Sequence, residues 1–401
     1  MSLRVLLDVA FTSTSVLYLV VVLPYLVLQV LFAERTHRRQ GRADTPSRAP
    51  SVDIVIPCYN EDPRTLAACL ASISTQDYPG DIRVHIVDDG SPNRAELDSV
   101  YREYGARPGY RVLALPENRG KRHAQVAAIT TSDAEVVVAV DSDTMIAPDG
   151  LRQLIAGLDD SQVGAAMGEM LAANTRTNWL TRLIDMRYWY ACNQERAAQS
   201  HFGAVLCCCG PFSAYRRDVL ERVLDDYVNQ TFRKRRSSYG EDRHLTNLVL
   251  RSGMRTAYVP RARARTVVPQ RIRPFLRQQL RWNRCTYRDM VGIARRLPAL
   301  GTYLTLDAFT QTFAPALLAL SFLLFVFRSA VAGTGDLVWY GAAMAAVAFG
   351  YCAYGVWRNR DVRFLLFAFY GPIHLGLLVP VRIRALFTLT DDRWGRRGVS
   401  S

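Results

Sequence analysis

The sequence predicts an α/β domain on a parallel sheet, joined to α-helical membrane segments at both ends. Two observations predict the sheet. Between residues 51 and 143, short apolar runs alternate with stretches of helical spacing, and three of those runs end in polar clusters rich in carboxylates. A third observation predicts the membrane segments: four long stretches carry no charged residue. Hydrophobic residues make up 49% of the 401 and charged residues only 21%, below the roughly 25% usual in soluble domains. Intrinsic disorder, a collagen-like repeat and a small disulfide scaffold are excluded.

In the first half of the chain, residues 52–57 read as a strand running into Pro57, Cys58, Tyr59, Asn60 and Glu61. Helical spacing follows over 65–76, a second strand over 83–87 closes on Asp88 and Asp89, and a helix is expected over 94–104. A strand at 110–115, a helix at 122–130 and a strand at 135–140 complete the alternation, the last ending in Asp141, Ser142 and Asp143. Such alternation implies a parallel sheet covered on both faces. Ligands of such sheets bind outside the carboxyl ends of the strands, where all three polar clusters fall.

No phosphate-binding loop of the G-x-x-x-x-G-K-[ST] type and no G-x-G-x-x-G after a strand is present, which argues against P-loop and dinucleotide chemistry. Two aspartates two apart after a buried strand, Asp141 and Asp143, suit a hard divalent cation sharing its shell with substrate phosphates. Aspartates also begin turns for plain backbone reasons, so the neighbouring Asp88 and Asp89 strengthen the reading. Lys121, within Gly120-Lys121-Arg122, is one of two lysines in a chain whose other basic residues are arginines, and it could meet the remaining phosphate charge. Glu241 and Asp242 open a further helix. Carboxylates there are favoured by the helix dipole, and one of them could equally serve as a general base for an attacking hydroxyl. Trp282 beside Arg281 reads as an interfacial anchor or as an aromatic platform for a sugar ring.

The uncharged stretches cover 9–33, 308–327, 337–357 and 364–381, and the first three reach the roughly 20 residues a bilayer-crossing helix needs. The last is marginal at this length and contains Pro372, His374 and Pro380. The first carries no A-x-A cleavage site and fits an uncleaved anchor. Basic residues after it place the following region in the cytosol, as do the arginines of 358–363. A full crossing of the fourth stretch would put Arg382, Arg384, Arg393, Arg396 and Arg397 outside, against that rule. Polar residues within these stretches, Thr310, Gln311, Thr312, Ser321 and His374, suit either a pore or helix packing. The expected organisation is an anchor over 1–34, a cytosolic domain over 50–290, and an interfacial segment with membrane helices over 291–401. Eight cysteines without a C-x-x-C pair fit reduced thiols in a cytosolic setting. The net charge of +14 suits polyanionic partners. Here those are a phosphate-bearing substrate and the lipid bilayer, with no nucleic acid.

The ordered motifs resemble the processive glycosyltransferases of family 2. They are residues 55–62, 87–91, 120–122, 140–144, 240–246 and 278–282. The likeness is strongest to the nodulation chitin-oligosaccharide synthases, which are N-acetylglucosaminyltransferases, and extends over residues 50–310, including the Cys207-Cys208-Cys209-Gly210-Pro211 run. The hyaluronan synthases share nearly every motif but more often carry an aspartate where this chain has Glu241. The resemblance implies a GT-A-like nucleotide-sugar-binding domain and a multi-pass cell-membrane enzyme. Its product would be β-1,4-linked chitin-type oligosaccharide or polysaccharide built by inverting transfer from UDP-GlcNAc, the alternatives being a hyaluronan synthase and an inactive membrane scaffold.

At matching positions, Asp89 would contact the uridine, Tyr59 and Glu61 line the base pocket, and Lys121 face the donor. Asp141 would contact the nucleotide sugar and Asp143 bind Mg or Mn. Asp242 would be the base. Gln278, Arg281 and Trp282 would hold the acceptor end and the diphosphate, and Cys209, Gly210 and Pro211 line the acceptor side.

Overall fold

The computed structural model describes residues 3–40, 46–332 and 337–391. The described residues divide into two compact units, one within 33–270 together with 390–391, the other within 3–32 and 271–389. The first helix, α1 (Leu3–Gln40), contributes to both.

The larger unit opens with β1 (Val52–Cys58), α2 (Pro63–Ser74), β2 (Ile82–Asp88), α3 (Arg94–Gly105), β3 (Tyr110–Ala114), α4 (Lys121–Ile129) and β4 (Val136–Val140). Every residue of β1 and β4 is buried, as expected of central strands with both faces covered. Then come β5 (Thr144–Ile146), α5 (Gly150–Ala156), β6 (Val163–Ala172), α6 (Trp179–Tyr190), a π-helical turn over Ala191–Arg196, and α7 (Ala197–His201). The unit ends with β7 (Phe212–Arg216), α8 (Arg217–Val228), a ribbon of β8 (Thr231–Phe232) and β9 (Arg235–Arg236), α9 (Glu241–Arg251) and β10 (Arg255–Thr266).

Eight strands form one sheet in the order β3-β2-β1-β4-β7-β6-β10-β5. The four expected strands lie together and parallel. The sheet as a whole is not parallel, which corrects the sequence expectation. β7 runs antiparallel to both β4 and β6, and β5 antiparallel to β10. In this register Phe212, the first residue of β7, lies opposite Val140, the last of β4.

In the smaller unit, α10 (Ile272–Ile293) is followed by α11 (Leu297–Leu300), α12 (Thr302–Ala332) and α13 (Leu337–Asn359). Among the described residues, three helical runs are long and apolar enough to cross a membrane: Val5–Gln40, Thr302–Val331 and Val362–Phe387. The third expected stretch forms α13. The fourth is longer than its uncharged core suggested but is not one regular helix. A 3-10 segment (Val362–Phe369) leads into α14 (Tyr370–Ile373), a π-helical turn (His374–Leu378) and α15 (Val379–Phe387). Pro380 falls in the first turn of α15, directly after the π-helical turn.

Polar residues of these helices make packing contacts. Ser321 Oγ lies 2.7 Å from Ser15 Oγ, and Gln311 donates to Asp307 at 3.1 Å, which also receives the Tyr25 hydroxyl at 2.8 Å. Arg284 and Arg288 of α10 donate to Thr388 Oγ1 and the Leu389 carbonyl at 3.0 and 2.7 Å, tying α10 to the end of α15. Of the carboxyl-terminal arginines, Arg393, Arg396 and Arg397 lie outside the described residues.

Candidate active site

Loops at the carboxyl ends of β1, β2, β3 and β4 are bonded into one scaffold. The Asp89 backbone N–H donates to the Cys58 carbonyl at 2.9 Å, and Asn60, at a φ of 49°, donates its N–H to Ser91 Oγ at 3.1 Å. Asn93 Nδ2 donates to the Glu61 carbonyl at 2.8 Å. Gly90 has a φ of +65°, and a Cβ there would stand 2.5 Å from the Glu117 carbonyl carbon, so a side chain is excluded on both counts.

Two carboxylates assigned to donor recognition are engaged by the protein. Glu61 is buried, and its Oε2 accepts the Ser142 hydroxyl at 2.7 Å, fixing the turn between Asp141 and Asp143. Asp89 is also buried and accepts from the backbone N–H groups of Arg119 and Gly120 at 2.9 and 2.8 Å, and from Asn118 Nδ2 at 3.1 Å. It therefore holds the loop that delivers Lys121. Tyr59, in the loop after β1, is exposed at 44%.

Lys121 is the first residue of α4. Its ammonium lies 2.5 Å from Asp141 Oδ1 and 2.9 Å from Glu241 Oε1. Burial disfavours its charge, but Asp141 and Glu241 outweigh burial and hold its pKa well above the ordinary lysine range. The same pairing holds Glu241 below the usual carboxylate range despite burial. The neighbouring Arg122 does not join it. That side chain turns inward, donating to the Ser237 carbonyl at 3.1 Å and lying 5.2 Å from the Tyr227 ring centre.

Asp242 follows Glu241 at the start of α9. Its Oδ1 accepts the Arg243 backbone N–H at 2.7 Å and its Oδ2 that of Gly210 at 3.3 Å. Burial raises its pKa, and so does the Glu241 carboxylate beside it. Two adjacent carboxyl groups are thus driven apart: Glu241 is kept ionised by Lys121, while Asp242 holds its proton more readily. A carboxylate of raised basicity is what a general base requires. Gly210 is where these groups approach most closely. A Cβ there would lie 2.8 Å from Lys121 Nζ, 3.7 Å from Asp242 Cβ and 3.9 Å from Asp141 Oδ1. Cys209 and Pro211 flank it, both partly buried.

Asp143 is partly buried, and its Oδ1 accepts the Thr266 hydroxyl of β10 at 3.1 Å. The structure thus brings together Lys121, Asp141, Gly210 and Asp242, with Glu61, Asp89 and Asp143 on loops bonded to them or to the same sheet. Gln278, Arg281 and Trp282 fall in the other compact unit, on α10, at spacings that place them on one helix face, with Trp282 exposed.

The description glycosyltransferase-like family 2 matches residues 49–285, more than half of the chain. The chain belongs to glycosyltransferase family 2. This transferase is 49% identical over 373 residues to an N-acetylglucosaminyltransferase of Mesorhizobium japonicum, covering 92% of this chain and 88% of the relative. It is 44% identical over 398 residues to one of Rhizobium meliloti, covering 97% and 92%. Its GT-A-like fold resembles that of the mannosyltransferase PcManGT from Pyrobaculum calidifontis, solved in complex with GDP-Man and Mn2+. The TM-score is 0.63 at 22% identity, over 90% of this chain and 98% of that one.

Glu241 is the site residue that motif reading passed over as a specificity marker. Its signal was the pairing of two adjacent carboxylates with one of two lysines in an arginine-dominated chain.

Proposed function

We propose that this glycosyltransferase is a membrane-bound, inverting, processive enzyme that moves N-acetylglucosamine from UDP-GlcNAc onto a growing β-1,4-linked chitin-type chain. The observation that carries the reading is the convergence of Asp242, Lys121 and Asp141 around Gly210, together with relatives named N-acetylglucosaminyltransferase. In this reading Asp242 takes the proton from the acceptor hydroxyl as that oxygen attacks the anomeric carbon. Lys121 and Asp141 bound the donor's diphosphate and sugar, and Tyr59 stacks against the base.

The donor set at the Asp141-Ser142-Asp143 turn is hard oxygen, and Lys121 already balances Asp141, so Asp143 is the carboxylate suited to a divalent cation. A bound Mg2+ or Mn2+ there would supply positive charge for the departing diphosphate. Glu61 holds the turn through Ser142, and Asp89 holds the loop before Lys121. The roles of Gln278, Arg281 and Trp282 at the acceptor end, and of Cys209, Gly210 and Pro211 on the acceptor side, rest on the family likeness. The membrane-spanning helices fit a multi-pass enzyme with its catalytic unit in the cytosol.

Membranes containing the enzyme are incubated with each labelled donor separately. Polymer formed from UDP-GlcNAc alone supports the reading. Strict dependence on UDP-glucuronate as well would identify a hyaluronan synthase and reject it, and no transfer under any condition would point to the scaffold.

A further inference from the structure

Two cysteine thiols stand beside the base proposed above. Cys207 Sγ lies 3.8 Å from Asp242 Oδ2, and the sulfurs of Cys207 and Cys209 and a carboxylate oxygen of Asp242 all lie within 4.8 Å of one another. Cys208, between the two, is fully buried, and its backbone N–H donates to Thr246 Oγ1 at 2.8 Å. Cys207 and Cys209 are thiols outside any disulfide. Cys209 and Asp242 are only partly buried, so the cluster is reachable from solvent.

We propose that Cys207, Cys209 and Asp242 form a binding site for a thiophilic divalent cation such as Zn2+, and that occupation of this site blocks transfer by capturing Asp242. Two sulfurs and one carboxylate oxygen, with a fourth position open to water, are a familiar tetrahedral zinc donor set. Zinc–sulfur bonds of about 2.3 Å place tetrahedral sulfurs roughly 3.8 Å apart, so the cluster closes by about 1 Å or less on binding. The two thiol protons leave to solvent as the metal enters. Two thiolates, one carboxylate and the dication leave one net negative charge. The Arg196 guanidinium, which donates to the Cys207 carbonyl at 3.3 Å, offsets it.

The site is chemically distinct from that of Asp143. Sulfur selects soft and borderline cations, whereas oxygen-only donors suit Mg2+ or Mn2+. Saturating Mg2+ therefore leaves the thiolate site unfilled. The inhibitory half of the proposal rests on Asp242 being the base; the binding half does not.

Cobalt(II) is titrated into the reduced full-length protein in detergent with Mg2+ saturating. A thiolate-to-cobalt charge-transfer band in the near ultraviolet, bleached by added Zn2+, is expected. It should fall to half or less in Cys207→Ser and likewise in Cys209→Ser. Absence of the band in the wild type, or its full strength in either variant, overturns the site. In the transfer assay, Zn2+ should inhibit the wild type, while Cys207→Ser keeps its basal rate and needs at least tenfold more Zn2+ for the same inhibition. Equal sensitivity overturns the inhibitory link. If no donor supports transfer, the spectrum still decides the binding site.

Discussion

Lys121 Nζ lies 2.9 Å from Glu241 Oε1, joining the start of α4 to the start of α9. The same ammonium is 2.5 Å from Asp141. One cation thus holds together two acidic motifs that are far apart in sequence, and Asp242 is placed with them because it follows Glu241 directly. Its effect on the two adjacent carboxylates is unequal, and that inequality is open to measurement.

Glu241→Gln removes a negative charge beside Asp242 and leaves Lys121 with fewer competitors. Both changes lower the Asp242 pKa from its raised value. Asp242 acts as base only when deprotonated, so activity falls as pH drops through its pKa. The acid limb of the kcat/KM profile should therefore move to lower pH in the variant. An unmoved or upward-shifted limb removes Asp242 from the role of base.

Asp242→Asn keeps the shape of the side chain and deletes its proton affinity. Transfer should fall by about 10²- to 10⁴-fold, while UDP-GlcNAc affinity measured by calorimetry stays within about twofold. Collapse of donor affinity in parallel would mean that Asp242 binds the donor.

In Asp143→Ala, the dependence of donor affinity on Mg2+ or Mn2+ should disappear, with weak metal-independent binding remaining. A metal titration of donor binding identical to wild type would relocate the hard-cation ligand.

Glu61→Ala removes the acceptor of the Ser142 hydroxyl and frees the turn that carries Asp141 and Asp143. The expected signature of a positioning residue is a KM for donor raised roughly tenfold, the equivalent of about 1.4 kcal/mol, with the metal requirement retained and Glu61→Gln restoring most of the loss. A variant that binds donor normally but no longer discriminates the nucleobase would instead make Glu61 a direct contact of the base.

The first half of the catalytic unit was legible in sequence because its strands are uninterrupted apolar runs, which both covered faces of a central strand demand. The second half was not. β10 alternates arginine with small residues, so Ala262 and Ala264 are buried while long basic stems mask the pattern. β7 hides behind the Cys-Cys-Cys-Gly-Pro run, whose chemistry drew the reading away from its geometry. Asp141, Asp143 and Asp242 stood out as candidates because carboxylates after apolar strands or at a helix start carry a clear chemical signal. The internal bonds of Glu61 and Asp89 depend on loops that only the folded chain brings near, and no spacing rule reaches that far.

Reversal of a single strand has a lasting consequence. With Phe212 opposite Val140, the chain entering β7 arrives where the chain leaving β4 departs. Gly210 is delivered to Asp141 by ladder register, not by loop flexibility. Because side chains alternate along a strand, dropping one residue from this entry would turn Phe212 and Ser213 to opposite faces. Relatives of this enzyme should tolerate length changes in many outer loops, but the stretch between Cys207 and Phe212 should admit substitutions only.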